Sequence, residues 1–304
     1  MPPLGPRTHM ARRNTVHGLF TALITPFDDK GRVDADRLAE LLRFQLSAET
    51  EGIFSCGSTG LGPMLSVEER KLVAETVVAV VAHRIPVVVQ VGCADTASTV
   101  ELAKHAEKSG ADAVASLTPY YYKPGEVAIA KHFGAVSSSV GIPVFAYNIP
   151  QFTGNNLQPS TVADMARKGT LAGVKDSSRD LLQLLELIAE VPEDFVVMNG
   201  TEEYGLFAIM SGADGLVSGG ASALPELFRS LVLAQRRGDH AAALAAQNAV
   251  HEFKGLVRRA PIASYYAILE ARGIDCGKPR APFLPVEKAD EDRIVAGLKR
   301  LKLL

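Results

Sequence analysis

From Gly18 onward, short apolar runs alternate with longer segments whose apolar positions recur every three or four residues. The runs LFTALITP (19–26), GIFSCG (52–57), IPVVVQVG (85–92), AVASLT (113–118), IPVFAYN (142–148), LAGVK (171–175), FVVMNG (195–200) and GLVSG (215–219) have strand length and predict eight β-strands. The segments between them carry helix signals. Ser66-Val67-Glu68-Glu69 has the form of a capping box, Pro159 and Pro225 suit first helical turns, and Lys108-Ser109-Gly110 and Lys168-Gly169 suit helix ends. A helix between successive strands demands parallel pairing. Eight units, with no GxGxxG after the first strand, favour a closed (β/α)8 TIM barrel over an open doubly wound sheet. Helical stretches near 239–259, 261–272 and 288–302 then predict a C-terminal helical extension. The division is an extended or disordered tail over 1–17, the barrel over 18–237 and the extension over 238–304.

Composition narrows the partners. The 304 residues are 47% hydrophobic with a formal charge of -2, and no basic stripe or block of like charge occurs. This disfavours nucleic acid and anionic membrane surfaces and fits a small-molecule partner. The positively charged MPPLGPRTHMARRN lacks the following apolar run of a signal peptide, and Gly, Pro and charges break every apolar run short of the length of a membrane span. Cys56, Cys93 and Cys276 are odd in number and far apart, so a reducing cytoplasm is the expected location.

In a barrel of this kind, chemistry gathers where strands end and βα loops begin. Strand two runs into Gly57-Ser58-Thr59-Gly60-Leu61-Gly62-Pro63, a Gly-rich turn whose N–H groups and hydroxyls can face an anion, or simply turn the chain. Strand four runs into Thr118-Pro119-Tyr120-Tyr121-Tyr122, an aromatic cluster suited to packing or to a subunit interface. Strand five ends at Tyr147-Asn148, placing a phenol at the rim as a core hydrogen-bonder or a proton carrier.

Strand six ends at Lys175. A lysine there can snorkel to solvent, but by the strand's period of two, Gly173 and Leu171 share its face and leave room inside. An amine held in that low-dielectric interior loses its proton more readily and can attack a carbonyl. This is the requirement for Schiff-base catalysis. None of the seven His (9, 17, 83, 105, 132, 240, 251) falls at a strand's C-terminal end, so a His-ligated metal is not expected, and no Walker-type nucleotide motif is present.

Taken together, Gly57-Ser58-Thr59-Gly60, Thr118-Pro119-Tyr120-Tyr121, Tyr147-Asn148-Ile149-Pro150 and Gly173-Val174-Lys175-Asp176 resemble the dihydrodipicolinate synthase and N-acetylneuraminate lyase family of pyruvate-dependent class I aldolases. The likeness runs from Thr25-Pro26 to the C-terminal helices. It implies that Lys175 forms the imine with pyruvate or a 2-keto acid, that Tyr147 transfers protons, and that Ser58 and Thr59 hold the keto-acid carboxylate. It implies further that Tyr121 reaches a neighbouring subunit's Thr59, that the backbone at Val217 faces bound pyruvate, and that the chain forms a homo-oligomer, commonly a dimer of dimers. No cofactor beyond the covalent lysine imine, and no metal, is implied.

Two departures bear on substrate. Phe152 stands where the lysine-biosynthesis synthases of this family carry an Arg, and a Phe cannot clamp a second carboxylate. Leu61 replaces the family's usual Glu, which is similar to the 2-keto-3-deoxy-sugar-acid aldolases. Asn199-Gly200-Thr201-Glu202-Glu203 is similar to the segment with which sialic acid lyases contact a polyol, although carboxylates there also suit a helix N-terminus. The leading expectation is an aldolase or lyase acting on a hydroxylated 2-keto acid, with Gly200 and Glu202 among its substrate contacts. The alternatives are a synthase condensing pyruvate with aspartate semialdehyde, a keto-deoxy-sugar-acid dehydratase, and a non-catalytic keto-acid-binding barrel.

Overall fold

The computed structural model describes residues 16–304. Its strands are β1 (Gly18–Ala22), β2 (Gly52–Ser55), β3 (Val87–Gln90), β4 (Ala113–Leu117), β5 (Val144–Asn148), β6 (Gly173–Asp176), β7 (Val196–Asn199) and β8 (Gly215–Ser218). All pair in parallel in chain order, and Leu19↔Leu216 and Thr21↔Ser218 close the barrel. The helices are α1 (Ala35–Ser47), α2 (Val67–Val81), α3 (Thr96–Ser109), α4 (Glu126–Ser137), α5 (Pro150–Thr153), α6 (Pro159–Arg167), α7 (Leu181–Glu190), α8 (Gly205–Met210) and α9 (Pro225–Arg236). Beyond them lie α10 (His240–Val257), α11 (Pro261–Ala271) and α12 (Lys288–Arg300).

Each strand is shorter than the apolar run that announces it, because the ladder stops where the chain turns outward. After Ala22, for example, the chain leaves β1 and the Ile24 N–H donates to Ser222 Oγ at 3.0 Å. Most of the predicted tail lies outside the described residues; within its described part, Val16 is buried among the inward-facing residues of the barrel. The capping box is present: Ser66 N donates to Glu69 Oε2 at 2.9 Å and Glu69 N to Ser66 Oγ at 3.2 Å. Glu69 also receives Arg280 Nη1 at 2.9 Å, and the same guanidinium donates to Gly31 O and Met64 O. One arginine from the segment before α12 thus ties α2 to two loops.

Two cores are separated by the sheet. The larger, between strands and helices, contains Val87, Val89, Val174 and Val197; the smaller fills the barrel with Phe20, Phe54, Val88, Phe145, Tyr147, Val196, Met198 and Val217. Alternation along each strand sorts side chains between them. Leu171 is a correction: β6 begins only at Gly173, and Leu171 packs in the outer core rather than sharing the face of Lys175. Gly173 does lie below Lys175, and a Cβ there would stand 2.3 Å from the Phe145 ring. Gly52 bears the same relation to Phe20 at 2.3 Å. These glycines admit aromatic rings into the barrel, which floor the space under Lys175 and exclude water from it.

Candidate active site

Strand register sets the centre of the site. Tyr147 pairs with Lys175, and Lys175 with Met198, at the ends of β5, β6 and β7. Lys175 is 5% exposed, and its Nζ lies 4.1 Å from the centroid of the Phe54 ring and 4.1 Å from that of Tyr147. Burial pushes this ammonium below the usual lysine range, while the Tyr147 phenol and the Glu202 carboxylate oppose the shift. Phe54, not singled out from the sequence, was readable there as an inward position of strand two.

The turn after β2 is shaped by its glycines. A Cβ at Gly62 would meet Cys56 O at 1.8 Å and one at Gly60 would meet Leu23 O at 2.7 Å, so only glycine permits this fold of the chain. Thr25 Oγ1 donates to Gly60 O at 2.7 Å and fixes the turn to the exit of β1. Ser58 Oγ comes within 3.3 Å of Tyr147 Oη. Thr59 abuts the end of β8, where a Cβ at Gly219 would lie 2.8 Å from Thr59 Oγ1. Val217, buried inside the barrel, completes this side. Leu61 is buried in the outer core, behind the turn.

Tyr121 is separate from this cluster in the single chain. It is 85% exposed, has φ of 76°, and meets only Tyr122 edge-on with centroids 5.0 Å apart among the ring contacts of the described residues. Phe152, on α5, is 70% exposed, beside Gln151, whose Nε2 donates to Ser177 O at 3.0 Å.

The segment after β7 closes the remaining wall. Gly200 N donates to Asp176 O at 2.6 Å, and a Cβ at Gly200 would stand 2.0 Å from Ser177 Oγ and 3.0 Å from Lys175 Cε. A Gly200→Ala variant should therefore displace the lysine, lowering kcat/KM by about 10- to 100-fold while costing about 1–3 kcal/mol of stability. Steady-state kinetics alongside thermal melting would check this; unchanged kcat/KM would mean that the lysine has room to spare. Glu202 is 5% exposed. Its Oε1 accepts from Ser218 Oγ at 2.6 Å and Gly220 N at 2.7 Å, and its Oε2 pairs with Lys254 Nζ at 2.7 Å. The carboxylate expected to meet substrate hydroxyls thus also has partners within the chain. Lys254 sits within a long helix and carries no local sequence signal.

Among the described residues, no group of three or more His, Cys, Asp or Glu could hold a metal ion, and no helix is long and apolar enough to cross a membrane. What the strand ends do assemble is a desolvated amine, a phenol over it and a hydroxyl-bearing turn alongside. A (β/α)8 barrel with this arrangement defines a carbon–carbon lyase of the class I aldolase type.

The sequence profile of the Dihydrodipicolinate synthetase family matches residues 15–301, and the chain belongs to that family. It is 37% identical over 290 residues to an uncharacterized DapA-like lyase of Halobacterium salinarum, covering 95% of each chain. It is 33% identical over 290 residues to the 4-hydroxy-tetrahydrodipicolinate synthase of Desulfotalea psychrophila, covering 95% of this chain and 97% of that one. Among solved structures it is similar to YagE, a prophage protein of Escherichia coli K12 in complex with pyruvate, with TM-score 0.91, 27% identity, and coverage of 96% of this chain and 100% of that one.

Proposed function

We propose that this protein is a Schiff-base aldolase that splits or forms a hydroxylated 2-keto acid of the 2-keto-3-deoxy-sugar-acid type, with pyruvate as the common product or substrate. The observation that carries the reading is the Lys175 amine, dehydrated between the Phe54 and Tyr147 rings at the end of β6. The keto-acid carboxylate sits on the turn bearing Ser58 and Thr59, against the backbone at Val217. Lys175 attacks the keto carbon, and loss of water leaves a protonated imine. That nitrogen accepts the electron pair of the C3–C4 bond as it breaks, giving an enamine and releasing an aldehyde. Tyr147 takes the proton from the C4 hydroxyl, and the enamine carbon is then protonated to yield pyruvate on hydrolysis. The reverse order forms the bond.

Tyr121 takes part in this scheme as a contribution from a second subunit to Thr59, which makes the working enzyme a homo-oligomer, a dimer of dimers, of the cytoplasm. Phe152 at the rim favours an uncharged polyhydroxy aldehyde over one bearing a carboxylate. The synthase reading draws support from relatives such as that of Desulfotalea psychrophila. Borohydride reduction with pyruvate, followed by peptide mass analysis and an aldehyde panel, tests both. A pyruvyl adduct on Lys175 and preference for hydroxyaldehydes are expected. An adduct elsewhere refutes the site, and preference for aspartate semialdehyde moves the assignment to the synthase.

A further inference from the structure

We propose that Asn148 and Asp176 are positioning residues for the Schiff-base reaction: the hydrogen bond between them locks the ends of β5 and β6 together and so sets the Tyr147 phenol against the Lys175 amine. This rests on the imine-forming role of Lys175 given above. Asn148 follows Tyr147, Asp176 follows Lys175, and the strands pair Tyr147 with Lys175 and Asn148 with Asp176. Alternation along a strand turns the first pair into the barrel and the second to the layer outside the sheet. Both outer residues are fully buried. There Asn148 Nδ2 donates to Asp176 Oδ1 at 2.8 Å. Asn148 Oδ1 accepts from Leu157 N at 3.0 Å, and since a backbone N–H can only donate, this contact fixes the amide with its NH2 toward the carboxylate.

The surrounding groups hold both members of the pair. Asp176 Oδ1 also receives Gln183 Nε2 of α7 at 3.2 Å, and Oδ2 receives Ser178 Oγ at 2.6 Å and, more weakly, Ser178 N at 3.4 Å. Asn156 Oδ1 accepts from Asn148 Nδ2 at 2.9 Å and Gln183 Nε2 at 3.3 Å, while Asn156 Nδ2 donates to Gln183 Oε1 at 2.7 Å. This closes a ring of side chains from β5, β6, α7 and the segment before α6. The donors to the carboxylate are uncharged, so the direction of their bonds, rather than an opposite charge, keeps it in place. Asn199 of β7, the register partner of Asp176 on its other side, turns onto its own segment, meeting Thr201 O at 2.8 Å and Thr201 N at 3.0 Å. The side-chain lock thus joins β6 to β5, the strand that carries the phenol. The ladder ends here: Ser177 N donates to Asn148 O at 2.8 Å, and the chain then turns at Ile149 into α5. Tyr147 is one residue from the end of its strand. A shift of about 1 Å in either strand end would cost roughly 100-fold in a reaction that needs phenol and imine aligned.

The test uses pyruvate alone, with the full-length native protein, Asn148→Ala, Asp176→Ala, the double Ala variant and Asp176→Asn, each well below its melting temperature. Two quantities are read: the fraction of protein trapped as pyruvyl adduct by borohydride, and the rate at which the pyruvate methyl hydrogens exchange with deuterated water, followed by NMR. Exchange requires the C3–H bond of the protonated imine to break, its electron pair forming the enamine double bond while the imine pair returns to nitrogen; the enamine then takes a deuteron from solvent at C3. It therefore reports proton transfer at the adduct beneath Tyr147. Either Ala variant should reach full adduct at saturating pyruvate yet exchange about 10- to 100-fold more slowly, and the double variant should be no slower than the singles, since all three lack the same bond. Asp176→Asn still offers Asn148 an acceptor and should recover most of that loss, to within about threefold of the native rate. Should Asp176→Ala fail to fold, Asn148→Ala and Asp176→Asn still decide. Native exchange in the Ala variants, losses that multiply in the double variant, an equally large loss in Asp176→Asn, or a loss that falls on adduct occupancy would overturn the proposal. Absence of any adduct in the native protein would instead overturn the imine reading on which it rests.

Discussion

Replacing Lys175 with Ala will abolish the pyruvyl adduct and lower turnover by at least about 10⁴-fold, because no other group in the site can supply the imine nitrogen. The loss should fall on kcat, with the keto acid still binding through the turn at Ser58 and Thr59. The isosteric Lys175→Met adds a discriminating measurement. The native side chain keeps an amine between two aromatic rings at 5% exposure, where its charged form is desolvated. Met fills the same space without that cost, so this variant should melt at a temperature equal to or above that of the native protein while remaining inactive. An inactive protein that also melts well below the native one would mean that Lys175 holds the barrel together. Residual adduct formation in either variant would place the chemistry on another lysine.

Tyr147→Phe is expected to reduce turnover by about 10²- to 10⁴-fold while leaving the imine able to form slowly. The ring remains, so its face still covers Lys175 and its edge-on contact with Phe54, at 5.5 Å between centroids, is retained. Only the hydroxyl is lost, and with it the 3.3 Å approach to Ser58 Oγ. A contact that long carries little stability, so melting should change by no more than about 1 kcal/mol. Trapping time courses should therefore show an adduct on Lys175 that accumulates but turns over poorly. Unaltered turnover would assign the proton transfers to another group, such as a hydroxyl of the substrate.

The barrel and the centre of its site were legible because both rest on local periodicity. Eight apolar runs separated by capped helices leave few topologies, and a lysine or tyrosine that ends such a run is placed by the run itself. Leu171 was misread because the strand's first paired residue depends on its neighbours: Ala172 N donates to Val144 O, but the ladder of β6 starts only at Gly173. Glu202 posed a harder problem. Its carboxylate beside a glycine at a strand end has the look of a polyol contact, and the groups its oxygens meet in the folded chain, Ser218, Gly220 and Lys254, all lie outside its own segment. The reason for Gly173 was likewise hidden, since the Phe145 ring that requires it belongs to the adjacent strand. Pairings between distant segments leave no trace in the spacing of either partner.

Tyr266 of α11 donates to Thr25 O at 2.6 Å, and Thr25 in turn holds the turn that carries Ser58 and Thr59. Together with Arg280, which donates to Gly31 O and Met64 O, this makes the segments beyond the barrel the braces for the loops that leave β1 and β2. The turn that carries Ser58 and Thr59 is thus set by contacts that the eight strands alone do not supply.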